Sequence, residues 1–231
     1  MLKELAPHFF VGFDRMPSYS EISNTRQEIK QSCDFLRLNN SKNERVLLFH
    51  FSLKNTPINE IDTVVEIILA NQKTIDIIGF PEREIGPTII QACMFIKKLR
   101  QKLDENKIFK PIHIFGCSDP KSIILFVLSG ADLFDGLGWI KYAFCRENYE
   151  NVERTQLPFL KCHCESCEGI DWLKISNSEF EYRLLIHNLF NIEEFFCEIR
   201  DVIIRGKIDG LLQKSGLKNF SKALYYSDGD E

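Results

Sequence analysis

Short apolar runs alternate with longer amphipathic ones through the first 135 residues, and that alternation limits the fold more than any other feature. The apolar runs are HFFVGFD, ending at Asp14; RVLLFHFS; TIDIIGF, read as a strand that ends at Gly79; PIHIFG; and ADLFDG. Between them the spacing turns helical. One helix is expected from about Glu21 to Leu38, and a second over 58–72 with Ile61, Val64, Val65, Ile68 and Leu69 on one face. IGPTIIQACMFIKKLRQKL carries a stripe through Ile89, Cys93, Ile96 and Leu99, and DPKSIILFVLSG follows. Strands apolar on both faces, each followed by a helix, are the pattern of parallel βαβ units rather than hairpins. About five such units fit, giving an α/β protein. In parallel α/β folds chemistry gathers at the carboxyl ends of strands. Those ends carry Asp14, His50 to Ser52, Gly79, Gly116 and Asp135.

Beyond a polar connector, RENYENVERTQ, lies KCHCESCEG, with Cys162, Cys164 and Cys167 within six residues. His187 follows in LLIHNLF, near the start of a segment that reads as one long helix or two, closing at Gly206. Three thiolates and an imidazole complete a tetrahedral Zn²⁺ set, and a saturated set is structural because no position stays open for water or substrate. His163 stands between two of these ligands, so its side chain is expected to point away.

The remaining composition narrows the setting. Eight cysteines do not form a disulfide framework here, since three carry metal spacing. Cys33, Cys93 and Cys197 fall in expected helices and suit buried thiols. No apolar run approaches the roughly 20 residues of a membrane span, and MLKELAPHFF lacks the features of a secretory signal, so a cytoplasmic protein is expected. The net charge of −4 does not announce a nucleic-acid binder. Any such role falls to a local patch, for which Arg200, Arg205, Lys207, Lys214, Lys218 and Lys222 near the C-terminus are the candidates. A solvated helix face explains them equally well. The last stretch, 223–231, is acidic and expected to fray.

Taken together, GADLFDG, HIFGCSDP, the CHCESC knuckle, IHNLF, IRDVIIRGKI and FVGFDRMPSYSE resemble tRNA-guanine transglycosylases. These are the queuine and archaeosine tRNA-ribosyltransferases of tRNA processing, with relatives that insert 7-deazaguanines into DNA. The resemblance implies a partial (β/α)8 TIM-type barrel over 1–145. A zinc-binding subdomain and C-terminal helices follow over 146–222. It further implies that the chain starts at about the fourth strand of the family's barrel. Five parallel strands cannot close a barrel of eight and open edges are avoided, so association with a second copy or a partner chain that supplies the missing strands is expected, the alternatives being a sheet that closes by itself and a degenerate remnant.

The same resemblance implies roles. Asp135 matches the nucleophile that attacks the ribose C1′ of the target guanosine. Asp14 matches an aspartate that hydrogen-bonds the guanine edge, Gly79 a glycine that offers its backbone to the base, and Gly116 a glycine turn beneath the site. Cys162, Cys164, Cys167 and His187 match the zinc ligands. The implied reaction replaces guanine in tRNA by a 7-deazaguanine through a covalent Asp–ribose intermediate. Exchange on DNA and a non-catalytic subunit that docks nucleic acid or a partner are the alternatives. Two departures stand out: His50, Phe51 and Ser52 occupy the place of a family glutamine-glycine pair, and GLGWIKYAF follows Asp135 where bacterial members have Pro-Thr-Arg. On the residues alone, Asp135 before Gly136 also suits a turn, Asp14 an Asx-turn, and His113 a place in the core. His50 suits either site or packing.

Overall fold

In a computed structural model the described residues are 9–11, 22–38, 44–51, 57–144, 147–150, 153–156, 164–172 and 174–219. Asp14, Cys162, His163, Lys222 and the 223–231 tail lie outside them. Five parallel strands form one sheet in sequential order: β1 (Phe9–Val11), β2 (Glu44–Leu48), β3 (Ile77–Pro81), β4 (Ile112–Phe115) and β5 (Leu133–Phe134). Helices α1 (Ile22–Leu38), α2 (Ile61–Ala70), α3 (Ile89–Glu105) and α4 (Pro120–Leu128) occupy the connections. Each strand therefore pairs with the next in the chain, and right-handed crossovers of that kind put the helices on one face. Sequential parallel order is the arrangement of a barrel segment rather than of a doubly wound sheet, whose order reverses at a switch point.

The two faces differ. Leu47, Phe49, Ile78, Phe80, Ile112 and Ile114 are at most 1% exposed. Phe95 of α3 meets the ring of Phe80 edge-on at 5.3 Å, so this is the helix-covered face. By the period-two alternation of a strand, Leu48, Gly79, His113, Phe115 and Leu133 share the other. Aspartate–arginine pairs brace the amino ends of the strands. Asp76 accepts from the Arg45 backbone at 3.0 Å and from Arg45 Nε at 2.7 Å. Asp132 does the same work for β4, taking the Ile112 N–H at 2.8 Å and the Arg100 guanidinium.

Several expectations shift. β3 does not end at Gly79 but continues to Pro81, whose extended backbone (φ −67°, ψ 129°) suits a strand terminus. The connector near 146–156 holds an antiparallel hairpin, β6 (Glu147–Glu150) with β7 (Glu153–Gln156). The C-terminal helical segment is a single helix, α6 (Asn177–Ile204), preceded by α5 (Gly138–Phe144). Ser176 caps it by accepting the Glu179 N–H at 3.2 Å. Gly206, at φ +66°, closes it as expected, and α7 (Ile208–Lys214) follows. Cys33 and Cys93 are buried, but Cys197 is exposed on α6.

The chain divides into two compact units, one of residues 1–116 with 125–135, the other of 117–124 with 136–231.

Candidate functional site

Within the first unit, Asp135 follows β5 directly and Gly116 follows β4, so adjacent parallel strands deliver both residues to the same end of the sheet. Gly116 has φ +79°, a conformation that costs an L-residue but not glycine. In that conformation its N–H donates to Asp135 Oδ1 at 2.7 Å. His113, one strand over, brings Nε2 to 3.6 Å from the same oxygen, longer than a formed hydrogen bond but within electrostatic contact. The Asp135 side chain is 53% exposed. His113 beside it, against partial burial and aided by the Gly116 N–H, holds its carboxyl below the usual carboxylate range. The result is an ionised, half-exposed carboxylate at a strand end, held through Oδ1.

Gly79 is interior to β3, and its carbonyl is already used, accepting the Phe49 N–H at 2.9 Å. A Cβ here would lie 2.6 Å from Cε2 of Phe115, so the glycine makes room for that ring. His50, just past β2, presents Nδ1 to both carboxylate oxygens of Glu84 at 3.0 and 3.2 Å, and Glu84 also accepts the Phe51 N–H at 3.0 Å. The structure thus joins Asp135 to Gly116 and adds His113, which reads as a core residue from its apolar flanks. Its place one strand from Asp135 follows only from the register.

The second unit holds the metal candidates. Residues 164–169 form a tight turn, which packs against α6. Cys164 Sγ and Cys167 Sγ are 3.4 Å apart, and His187 Nδ1 lies 3.5 and 3.3 Å from them. All three ligand atoms fall within 4.8 Å of one another. For a tetrahedral zinc with Zn–S of about 2.3 Å and Zn–N of about 2.0 Å, neighbouring ligands sit roughly 3.5–3.8 Å apart. The donors therefore suit a thiophilic cation in spacing and in chemistry. His187 is fully buried and Cys167 is 5% exposed. On the far side of the ring, His187 Nε2 lies 2.7 Å from the Asn191 amide, one turn along α6. With a metal on Nδ1, Nε2 would carry the proton, and an Asn191 amide turned to present its oxygen would accept it.

Polar contacts fix the turn to α6 independently. Ser166 Oγ donates to the Arg183 carbonyl at 2.9 Å, and Arg183 Nη1 donates back to the Ser166 carbonyl at 3.2 Å. Trp172 meets Phe180 edge-on at 5.4 Å. The candidate basic patch is partly consumed by the fold: Arg205 pairs with Asp201 at 2.8 Å, Lys214 with Glu198 at 2.9 Å, and Arg200 reaches Cys197 Sγ at 3.2 Å. No helix among the described residues is long and apolar enough to cross a membrane.

The tRNA-guanine(15) transglycosylase of Saccharolobus solfataricus is 32% identical over 126 residues, 51% of this chain and 24% of that protein. The enzyme of the same name from Methanopyrus kandleri is 30% identical over 106 residues, 43% of this chain and 23% of its own length. That of Pyrococcus abyssi is 31% identical over 133 residues, 54% and 21% respectively. These matches span less than a quarter of each relative. The family model described as queuine tRNA-ribosyltransferase matches residues 3–219, nearly the whole chain. The chain belongs to the queuine tRNA-ribosyltransferase family, a family of glycosyltransferases.

Proposed function

We propose that the protein exchanges guanine in tRNA for a 7-deazaguanine, with Asp135 as the nucleophile. The observation that carries this reading is the Asp135 carboxylate itself, ionised and gripped through Oδ1 at the carboxyl end of a parallel strand. In the forward step a carboxylate oxygen attacks ribose C1′ while the C1′–N9 bond breaks. The electron pair stays on the departing guanine, which takes up a proton. The incoming base then attacks C1′ through its own ring nitrogen, loses a proton, and releases Asp135. The target nucleotide must leave its stack for this to happen. Asp14 is assigned to the guanine edge and Gly79 to the base as a backbone contact, although the Gly79 carbonyl is engaged by the Phe49 N–H. Cys162, Cys164, Cys167 and His187 are assigned to a structural Zn²⁺ that ties the knuckle to α6.

The test is trapping. The protein, in whatever assembly it is isolated, is incubated with guanine-containing tRNA and denatured before electrophoresis. A protein–RNA adduct that forms with the native chain and vanishes in Asp135→Asn supports the assignment. Base exchange at the native rate in Asp135→Asn would refute it. An adduct with single-stranded DNA but none with tRNA would move the substrate to DNA, and no adduct with either would favour a docking subunit.

A further inference from the structure

His113, on β4 beside these strand ends, is a polar group that neither the nucleophile nor the base contacts employ. Its ring stacks on Phe115, with centroids 3.9 Å apart and planes at 26°. Phe115 in turn occupies the space that a side chain at position 79 would fill. The stack leaves the imidazole little freedom to swing, and its Nε2 is buried with no hydrogen-bond partner at bonding distance. A buried ring nitrogen without a partner is costly to keep. The acceptor it faces is Asp135 Oδ1, 3.6 Å away.

We infer that His113 is a positioning residue for Asp135. Held by Phe115 over Gly79, it donates Nε2–H to Oδ1 alongside the Gly116 N–H, so that Oδ2 is the oxygen presented to ribose. The contact shortens to hydrogen-bond length once the site closes on substrate, as contacts of this kind commonly do. Two donors on one oxygen fix the plane of the carboxylate and keep it ionised. Among the described residues His113 is the titratable side chain that acts on this carboxylate; the other contributions are backbone N–H groups. The inference rests on Asp135 being the nucleophile.

Two variants separate the roles. His113→Phe keeps the stack and removes the donor, whereas His113→Gln restores a neutral donor. Thermal unfolding of each verifies the fold. For His113→Phe the expected results are adduct formation slowed roughly tenfold, less than the loss of a donor placed directly on reacting charge, with tRNA KM unchanged. The acid limb of its pH–rate profile moves to higher pH. His113→Gln recovers part of the rate. Carbon-13 titration of the Asp135 carboxyl gives a readout free of turnover: its midpoint rises in His113→Phe. An unchanged midpoint and acid limb in a folded His113→Phe would overturn the inference. If Asp135→Asn abolishes the adduct in the same series, that failure leaves the nucleophile assignment standing. If Asp135→Asn still forms adduct, the nucleophile assignment itself has failed.

Discussion

A methyl group on Gly79 would meet Phe115 at 2.6 Å, and Phe115 is what His113 leans on. Leu48 Cδ1 stands 3.3 Å from the same point, which closes the other route of relief. Gly79→Ala is therefore an overpacking change in the middle of a sheet, with an expected cost of about 1–3 kcal/mol. Urea denaturation measures it directly. Phe115→Leu combined with Gly79→Ala should recover part of that stability, because the smaller side chain vacates the contested space. The double variant should still lose adduct formation, since the stack under His113 is gone. Recovery of both stability and rate would mean that Phe115 supports only the fold. The position is thus explained sterically before any contact with a base is invoked, a reading that composition and spacing do not suggest. A glycine at a strand end and a glycine inside a strand look alike in the sequence until the register is known.

At the level of elements, the strands and helices of the first unit are legible because their hydrophobic periods are clean, and His187 is legible as a candidate ligand because the knuckle spacing calls for a fourth donor. The β6–β7 hairpin is not, since ENYE and ERTQ are dominated by charged and polar side chains that mask Tyr149 and Thr155. The seven-residue α7 is too short for its period to register. Two predictions belong to this scale. Burial works against the charged form of Asp76, but the hydrogen bonds from Arg45 outweigh it and hold the carboxyl below the usual range. A depressed folded value means that this stabilisation is present above the ordinary aspartate range and is lost as pH falls through the folded value. Asp76→Asn should lower stability at neutral pH and flatten the loss of stability on acidification below about pH 4. Equal slopes for the two proteins would exclude the pair as a contributor. The second prediction concerns the candidate metal site. Zinc bound by this chain should approach one ion, and chelation should loosen the turn from α6, read through Trp172 fluorescence. His187→Ala should release the metal, whereas Ser166→Ala, which removes the hydroxyl that donates to the Arg183 carbonyl, should retain it. Zinc content near zero in the purified protein would reject the assignment.

For the whole molecule the deciding feature is strand order. Sequential parallel strands with all helices on one face curl toward closure, and a closed barrel of this class needs eight. The described sheet has five, with β1 and β5 outermost. Val11, on β1, is 39% exposed. Outer strands present backbone donors and acceptors that pair readily with another chain, and folded proteins seldom leave them bare. Phe115, His113 and Leu133 on the face opposite the helices are only partly covered, where a closed barrel would fill its interior with side chains from facing strands. Both features call for the same remedy, further strands set against this sheet. We predict that the 26.9 kDa chain functions within a larger assembly, a second copy or a partner chain supplying them. Sedimentation equilibrium of the purified protein at micromolar concentration, and of the complex recovered under native conditions, should give at least twice the chain mass. Dilution below the dissociation constant should then expose apolar surface, read by dye binding, and lower the unfolding temperature, because a folded state held together by association depends on concentration. A single species at 26.9 kDa whose unfolding is independent of concentration would show that the sheet is satisfied within one chain. Added strands from a second copy or a partner chain would then be excluded.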